Sequence, residues 1–484
     1  MFIITLLAMP FIIHSLGVEI YALYALIGVI IGYFGILDLG LGAATIKYIA
    51  QYLAAKDEVN IRKIFWSCLL AYFLLGLLGA ALITGFAHIF VSRFLKVSPP
   101  LKELSMLVLK ISAFGFFISM LLGVTSHVMK ALGRFDILNR TGIMLCTAQI
   151  AATVTLLKCG FSLEAIVVSG IAVQIAGIFI YWGHVKRLLP FIVKPAGDIA
   201  TIRYLLKFGG MVAVSNVIVP ILMNIEKIFL TIFRPMSALT YYSVPYSIVS
   251  RLAVIPSAVS SVLFPTFSYF GNIDAGEINK NLHYRSALYI FFCYASFMAF
   301  FVIFGRPFFA VWLGSDFAEK STGILTILLA AGLINVIAWP SLSFLQGTGK
   351  PYMPAAFNLI EAVIYIPAAW MLVRKFGIYG AAFAWLIRVI FDTLCLHIAA
   401  SILLKERILA WYGRLFYRGL PPLLVSVFLF WRLRNLGLRL IDPLNIAGIF
   451  AVFVIYACIV WKWGLDDIAR NKVKEFLSGP AAQT

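Results

Sequence analysis

Of the charged side chains inside long apolar stretches of this sequence, seven are where the chemistry is to be sought. Arg251 lies about ten residues into the stretch 241–265, between Pro245 and Pro256, and Arg388 about nine residues into 379–403. Lys110 is a few residues inside 104–129, and Asp38 closes the apolar part of 20–48. Glu226, followed by Lys227, sits near one end of 205–231; Glu361 is about nine residues into 353–373, and Asp392 follows Arg388 by one helical turn. An ionised group at a bilayer centre costs on the order of 2.5–3.5 kcal/mol on insertion scales, so each needs a reason to be there. A guanidinium stays charged at any accessible pH and its fork matches a phosphate. Arg251 and Arg388, with Lys110 as a third, are therefore candidates for holding a phosphorylated substrate. The carboxyls of Asp38, Glu226, Glu361 and Asp392 are candidates for gating or ion coupling.

Each of these residues also has a plainer reading. Asp392 shares a helical face with Arg388, and Glu361 falls at similar depth, so an Arg388–Asp392 or Arg388–Glu361 pair accounts for the arginine equally well. Arg251 as an ion-paired or carbonyl-capped arginine fixes helix packing, and Lys110 can snorkel to the interface. Asp38, among Gly35, Gly40 and Gly42, suits a close-packed position that hydrogen-bonds a neighbouring helix. Glu226 and Lys227 fit interface-level charges. Pro245, Pro256 and Pro265, like Pro351, Pro354 and Pro367, mark places where a spanning helix can bend. The six histidines show no metal spacing, and no Walker A, HExxH or nucleophile elbow occurs. The six cysteines contain no CxxC pair and read as small apolar core residues. The sequence names no catalytic residue, no metal and no cofactor, and points away from an enzyme. Energy for any transport would come from an ion gradient, the membrane potential or product removal.

The elements that must position these residues follow from composition. Of 484 residues, 62% are hydrophobic and 12% charged, against about half and a quarter in a soluble domain. Burial in water cannot hide that much apolar surface, so the bilayer is the solvent. This excludes a soluble enzyme, a secreted disulfide scaffold and a nucleic-acid-binding domain, and the net charge of +19 reads as loop bias. Apolar spans fall at roughly 2–16, 20–48, 64–91, 104–129, 141–157, 164–184, 205–231, 241–265, 286–311, 322–346, 353–373, 379–403, 419–435 and 444–463. Runs of this length are helical, since a barrel would alternate in segments of about ten. The N-terminal run, about fifteen residues, is short of the roughly 20 a crossing requires; it reads as a truncated first helix or a late start, without a signal peptide.

Lys and Arg concentrate in alternate loops, including Lys130-Arg134-Arg140, Lys186-Arg187-Lys194 and the tail Arg470-Lys472-Lys474. That side is cytoplasmic, which places both termini inside, although Arg93-Lys96-Lys102 and Arg432-Arg434-Arg439 fall outside. An internal repeat accompanies this pattern. Ala131-Leu132-Gly133-Arg134 and Gly347-Thr348-Gly349-Lys350 are Gly-basic turns about 216 residues apart, and each is followed by a glycine corner at Gly160 or Gly377. Six helices separate them, so the halves share one orientation, as in parallel-repeat transporters. The expected fold is all-α and polytopic, with about fourteen transmembrane helices. It comprises a six-helix lobe at 1–190, a second at 191–404 related by a parallel repeat, and two C-terminal helices with a tail at 405–484. The aromatic residues Trp182, Trp312, Trp411, Trp461 and Trp463 fit interfacial belts.

Several segments, in order along the chain, carry a resemblance. These are Leu16-Gly17-Val18-Glu19-Ile20-Tyr21, Gly32-Tyr33-Phe34-Gly35-Ile36-Leu37-Asp38-Leu39-Gly40-Leu41-Gly42, Met223-Asn224-Ile225-Glu226-Lys227, Tyr242-Ser243-Val244-Pro245-Tyr246 and Leu263-Phe264-Pro265-Thr266-Phe267. Together they resemble the Wzx-type polysaccharide flippases of the MOP (multidrug/oligosaccharidyl-lipid/polysaccharide) exporter superfamily. The resemblance implies a transporter in the cytoplasmic (inner) membrane. It would move undecaprenyl-pyrophosphate-linked oligosaccharide from the inner to the outer leaflet by alternating access for polysaccharide biosynthesis. It also implies that glycan, membrane lipids and polysaccharide polymerase machinery as partners, and makes Arg251, Arg388 and Lys110 candidates for the pyrophosphate. A multidrug or cation antiporter of the same superfamily and a lipid II flippase are the alternatives. A membrane-embedded polymerase or ligase is disfavoured, because no outer loop exceeds about fifteen residues. Two departures stand out: the short first span, and Glu226 where the family often has Asp.

Overall fold

In hydrocarbon the backbone must find its hydrogen-bond partners inside the chain, and long apolar runs do so as helices. The computed structural model describes residues 2–94, 99–271, 276–437, 442–465 and Arg470. Every regular element among the described residues is helical and none is a strand. Ten stretches among them, from Val18–Asp38 to Pro443–Gly464, are long and apolar enough to cross a membrane. The surface agrees with this, since Leu70, Phe73, Leu74, Leu77 and Leu78 stand exposed along one helix. The loop charges Lys96, Arg439, Lys472 and Lys474 lie outside the described residues.

The chain divides into two compact units, Met1–Ser243 and Val244–Thr484. The first holds α1 (Phe2–Leu16), α2 (Val18–Phe34), α3 (Leu41–Ala54), α4 (Glu58–Ile89), α5 (Pro99–Ala131), α6 (Phe135–Lys158), α7 (Leu163–Leu188) and α8 (Ile199–Phe233), and α9 (Met236–Leu252) begins in it. Helix–helix association in lipid depends on close packing rather than on the hydrophobic effect. Gly79 of α4 accordingly makes room for Phe116 of α5, since a Cβ there would sit 2.2 Å from that ring. Asp57 caps α4 by accepting the Asn60 N–H at 3.0 Å, and Asp198 caps α8 by accepting the Thr201 N–H at 2.5 Å. The link from α7 to α8 is fastened to α4 at three points. Trp66 Nε1 donates to the Ile192 carbonyl (2.8 Å), the Asp198 N–H donates to Ser67 Oγ (2.9 Å), and that hydroxyl donates to the Asp198 carbonyl (3.1 Å).

The second unit contains α10 (Val254–Gly271), α11 (Gly276–Leu313), α12 (Ser315–Gly347), α13 (Tyr352–Leu404), α14 (Ile408–Arg434) and α15 (Pro443–Ile459). Phe300 and Phe304 of α11, Phe430 of α14 and Phe453 of α15 form one aromatic cluster, with Phe300–Phe430 at 5.9 Å and Phe430–Phe453 at 5.4 Å between ring centroids. α13 is two helices about a kink at Gly377, whose φ of 59° and ψ of −127° are not helical. A Cβ on Gly380 would lie 2.0 Å from the Leu372 carbonyl oxygen, and Arg388 reaches back to Glu361. These two pairings centre on nearly the same residue, so the two halves run antiparallel.

Two spans read as continuous from sequence are broken. The stretch 20–48 is interrupted by a tight turn at Gly35–Asp38, after which Leu39 (φ 47°) and Gly40 (φ 74°) take left-handed conformations before α3 starts. The stretch 241–265 breaks at Ala253, between α9 and α10. Pro256 has no N–H to give the Leu252 carbonyl, so the ladder fails there. The two Gly-basic turns adopt one geometry. Gly133 (φ 66°) donates to the Lys130 carbonyl and Arg134 to that of Met129, both at 3.0 Å. Gly349 (φ 75°) donates to Gln346 (3.2 Å) and Lys350 to Leu345 (2.9 Å). Both are helix C-terminal turns that require glycine. Two further expectations are corrected. Cys68 is buried, but Cys293 and Cys458 are exposed on apolar helix faces where lipid replaces a core, and Cys159 is exposed in the turn that ends α6. Trp411 is 1% exposed rather than interfacial, because His283 and His397 pack their rings against it.

Candidate functional site

The kink at Gly377 turns a separation in sequence into a contact. Glu361 on the first half of α13 and Arg388 on the second are 2% and 7% exposed, and Arg388 Nε donates to Glu361 Oε1. The guanidinium also lies over the Tyr365 ring, 5.8 Å from its centroid. Asp392, one turn along from Arg388, shares the electrostatic environment of both charges. Tyr246 meets Trp385 edge-on at 5.7 Å beside them. Glu361 Oε2 is buried with no hydrogen-bond partner. Of the readings open for Arg388, the Arg388–Glu361 pair is the one formed. Two carboxyls face one guanidinium, so with all three ionised the cluster carries one net negative charge. A proton or a monovalent cation would balance it, and the arginine fork is already engaged.

The first unit places Asp38 at the end of the turn that breaks α2 from α3. Its Oδ1 accepts the Tyr72 hydroxyl of α4 and, at 3.3 Å, the Gly42 N–H. His127 of α5 stands 6.0 Å from Tyr72 between ring centroids, and its Nδ1 is buried without a partner. Gly42 allows this approach, because a Cβ at that position would lie 2.5 Å from His127 Cε1. Asp38, Tyr72 and His127 thus line up across three helices, with Thr45 Oγ1 and Cys68 Sγ in contact at 2.9 Å behind them.

Glu226 and Lys227 are buried, at 0% and 8% exposure, and so are not interface-level charges. The chain turns back at Arg234-Pro235, and α9 brings Tyr242 against α8, where its hydroxyl donates to Glu226 Oε1 at 3.2 Å. Lys227 Nζ donates to Asn224 Oδ1 at 2.7 Å. Arg251 is half-buried in the last turn of α9, at the break within the span Met236–Ser268. There its charge complements the carbonyl end of the helix. Lys110 is exposed on α5, on the same stripe as Leu107 and Phe114.

The seven residues are thus distributed, with Glu361, Arg388 and Asp392 brought together and Asp38 joined to partners the sequence did not single out. Tyr72 and His127 are those partners, and the second unit holds His283 and His397 as further buried groups. His283 Nε2 meets Ser341 Oγ at 2.8 Å, and its ring lies 5.7 Å from that of His397. The signal for His127 and His397 was their place inside apolar spans, which a search for metal spacing passes over, whereas His283 lies just before the span 286–311. Among the described residues no three His, Cys, Asp or Glu side chains group as metal ligands.

Comparison with known proteins places this geometry in context. The family model described as "Polysaccharide biosynthesis protein" matches residues 16–322. A putative O-antigen transporter of Shigella flexneri is 28% identical over 402 residues, spanning 81% of this chain and 93% of that one. Among solved structures, an inward-facing multidrug resistance MATE family transporter of the MOP superfamily superposes with a TM-score of 0.75 at 14% identity, over 83% of this chain and 94% of its own. The lipid II flippase MurJ in an inward closed conformation superposes with a TM-score of 0.71 at 15% identity, over 95% and 97%. At these identities the two structures share the fold.

Proposed function

This chain belongs to the polysaccharide biosynthesis protein family, and from that premise we propose that it is a multi-pass inner-membrane transporter that moves a lipid-linked substrate by alternating access. The observation that carries the proposal is the buried Glu361–Arg388–Asp392 cluster between the two antiparallel halves of α13. Membrane packing alone does not need such a cluster, and intramembrane charges of this kind mark ion or substrate pathways. Its surplus carboxyl suits ion coupling, as do Asp38 with Tyr72 and His127, and Glu226 with Tyr242. The phosphate-binding role is assigned to Arg251, at a helix break, with Arg388 and Lys110 as the other candidates. The break at Ala253 is where α9–α10 would flex.

In this reading the cargo is an undecaprenyl-pyrophosphate-linked oligosaccharide, and both termini are cytoplasmic. The six-helix lobes 1–190 and 191–404 are parallel repeats, and 405–484 adds two helices to make about fourteen. The matching turns at Gly133 and Gly349 support the repeat, and the family description and the O-antigen transporter relative support the cargo. A lipid II flippase is the second reading, favoured by the MurJ superposition over 95% of this chain. A multidrug or cation antiporter is the third, favoured by the MATE superposition and by the net negative charge of the Glu361 cluster.

One set of complementation assays separates the three. The gene is placed in strains lacking an O-unit flippase, the lipid II flippase or drug efflux. Restored surface polysaccharide that is lost with Arg251→Ala supports the first reading. Rescue of peptidoglycan synthesis alone moves the assignment to lipid II, and drug resistance alone moves it to antiport.

A further inference from the structure

A cavity of about 560 Å³ opens between the start of α6 and the end of α7, within the first unit. Its mouth is basic, with Arg134, Arg140, His184 and Arg187 lining it, while Met144 and Ile180 line it one turn deeper along each helix. Arg134 is already neutralised by Asp136, through hydrogen bonds of 2.9 and 2.7 Å. Arg140 and Arg187 are exposed and form no ion pair among the described residues. Two uncompensated guanidiniums therefore face one opening at the end of two membrane-spanning helices. Met144, half-exposed, and Ile180 continue that opening as an apolar groove toward the hydrocarbon.

We infer that this cavity binds the phosphate headgroup of an anionic glycerophospholipid. Arg140 and Arg187 grip the phosphate, His184 contributes a ring nitrogen, and an acyl chain lies along Met144 and Ile180. The arrangement meets both chemical demands of such a lipid. Guanidinium forks match phosphate oxygens, and basic pockets between transmembrane helices at the membrane surface select anionic headgroups. A soluble anion would use the arginines but not the groove, and a neutral lipid the groove but not the arginines. The site shares no residue with the Glu361 and Asp38 clusters, so it stands whichever cargo the transporter carries.

Native mass spectrometry of the full chain in detergent, titrated with phosphatidylglycerol or phosphatidylcholine, tests the inference. Phosphatidylglycerol should be retained and phosphatidylcholine not, with retention falling as salt rises. At roughly fivefold per arginine, Arg140→Gln with Arg187→Gln should weaken binding about thirtyfold. Asp136→Asn releases Arg134 and should tighten binding about fivefold, a gain that a merely structural role would not give. Lys158→Gln, at the opposite end of α6, should leave binding unchanged. Equal retention of both lipids overturns the proposal, as does a folded double variant within about twofold of the parent. Undecaprenyl pyrophosphate displacing phosphatidylglycerol, with the same dependence on Arg140 and Arg187, overturns the phospholipid assignment and gives the cavity to the substrate. Should the double variant not fold, Asp136→Asn decides alone, and no gain in binding refutes the proposal.

Discussion

Substituting the members of the Glu361–Arg388–Asp392 cluster one at a time should give unequal losses of stability. Arg388→Met leaves two buried carboxyls facing each other without a cation. Removing one partner of a buried ion pair costs about 3–5 kcal/mol, because the remaining charge is stranded in a medium that solvates it poorly. Glu361→Met leaves Arg388 with Asp392 still one turn away, so roughly half that cost is expected. At an effective dielectric near 20, opposite charges about 4 Å apart attract by about 4 kcal/mol and about 6 Å apart by about 3 kcal/mol, so Asp392 replaces much of what Glu361 supplied. The double variant puts two apolar side chains of similar length into the space but leaves Asp392 without its cation, so it should still cost about 2–3 kcal/mol. The coupling energy read from the cycle is then about 2–5 kcal/mol. Equilibrium unfolding in mixed detergent–SDS micelles, followed by tryptophan fluorescence, measures each corner. The reasoning fails if the two single losses add to the double within about 0.5 kcal/mol, or if Glu361→Met costs as much as Arg388→Met.

Two further outcomes follow from contacts in the first unit. Gly42→Ala drives a methyl into the His127 ring and should destabilise by about 1–3 kcal/mol through overpacking; adding His127→Ala should restore most of the loss, and the same unfolding assay reads both. The Thr201 N–H holds the Asp198 carboxyl below the usual carboxylate range. A depressed folded value means its contribution is present above about pH 4 and disappears as pH falls through that folded value. Asp198→Ala should therefore expose the 189–198 connection to protease at neutral pH, with the difference from the parent shrinking in acid; an unchanged digestion pattern at pH 7 would count against the cap.

How much was legible beforehand follows the range of each interaction. Spans were readable because hydropathy is a property of consecutive residues, and the two Gly-basic turns because glycine takes a left-handed corner without strain. The break at Ala253 was half-legible: Pro256 was noted as a place to bend, but the residue that loses its hydrogen bond is four positions earlier. The turn at Gly35–Asp38 was missed, since its glycines were read as packing positions within one helix. Tyr72 and His127 could not be joined to Asp38 from sequence, because no spacing rule connects residues on three different helices. Burial of Glu226 and Lys227 likewise depends on where α9 folds back, which local pattern leaves open.

Composition by itself determined that this protein lives in a bilayer as helices, because apolar surface and unpaired backbone each have one solution there. Sequence also named the charges that a bilayer would not tolerate without cause. Only the tertiary structure decided what each charge meets. It showed that Arg388 is already held by Glu361 across the Gly377 kink, that Arg251 ends a helix within its span, and that Arg140 and Arg187 share an opening. The reason is that insertion cost is paid residue by residue, whereas pairing depends on distances between helices that a linear sequence does not contain.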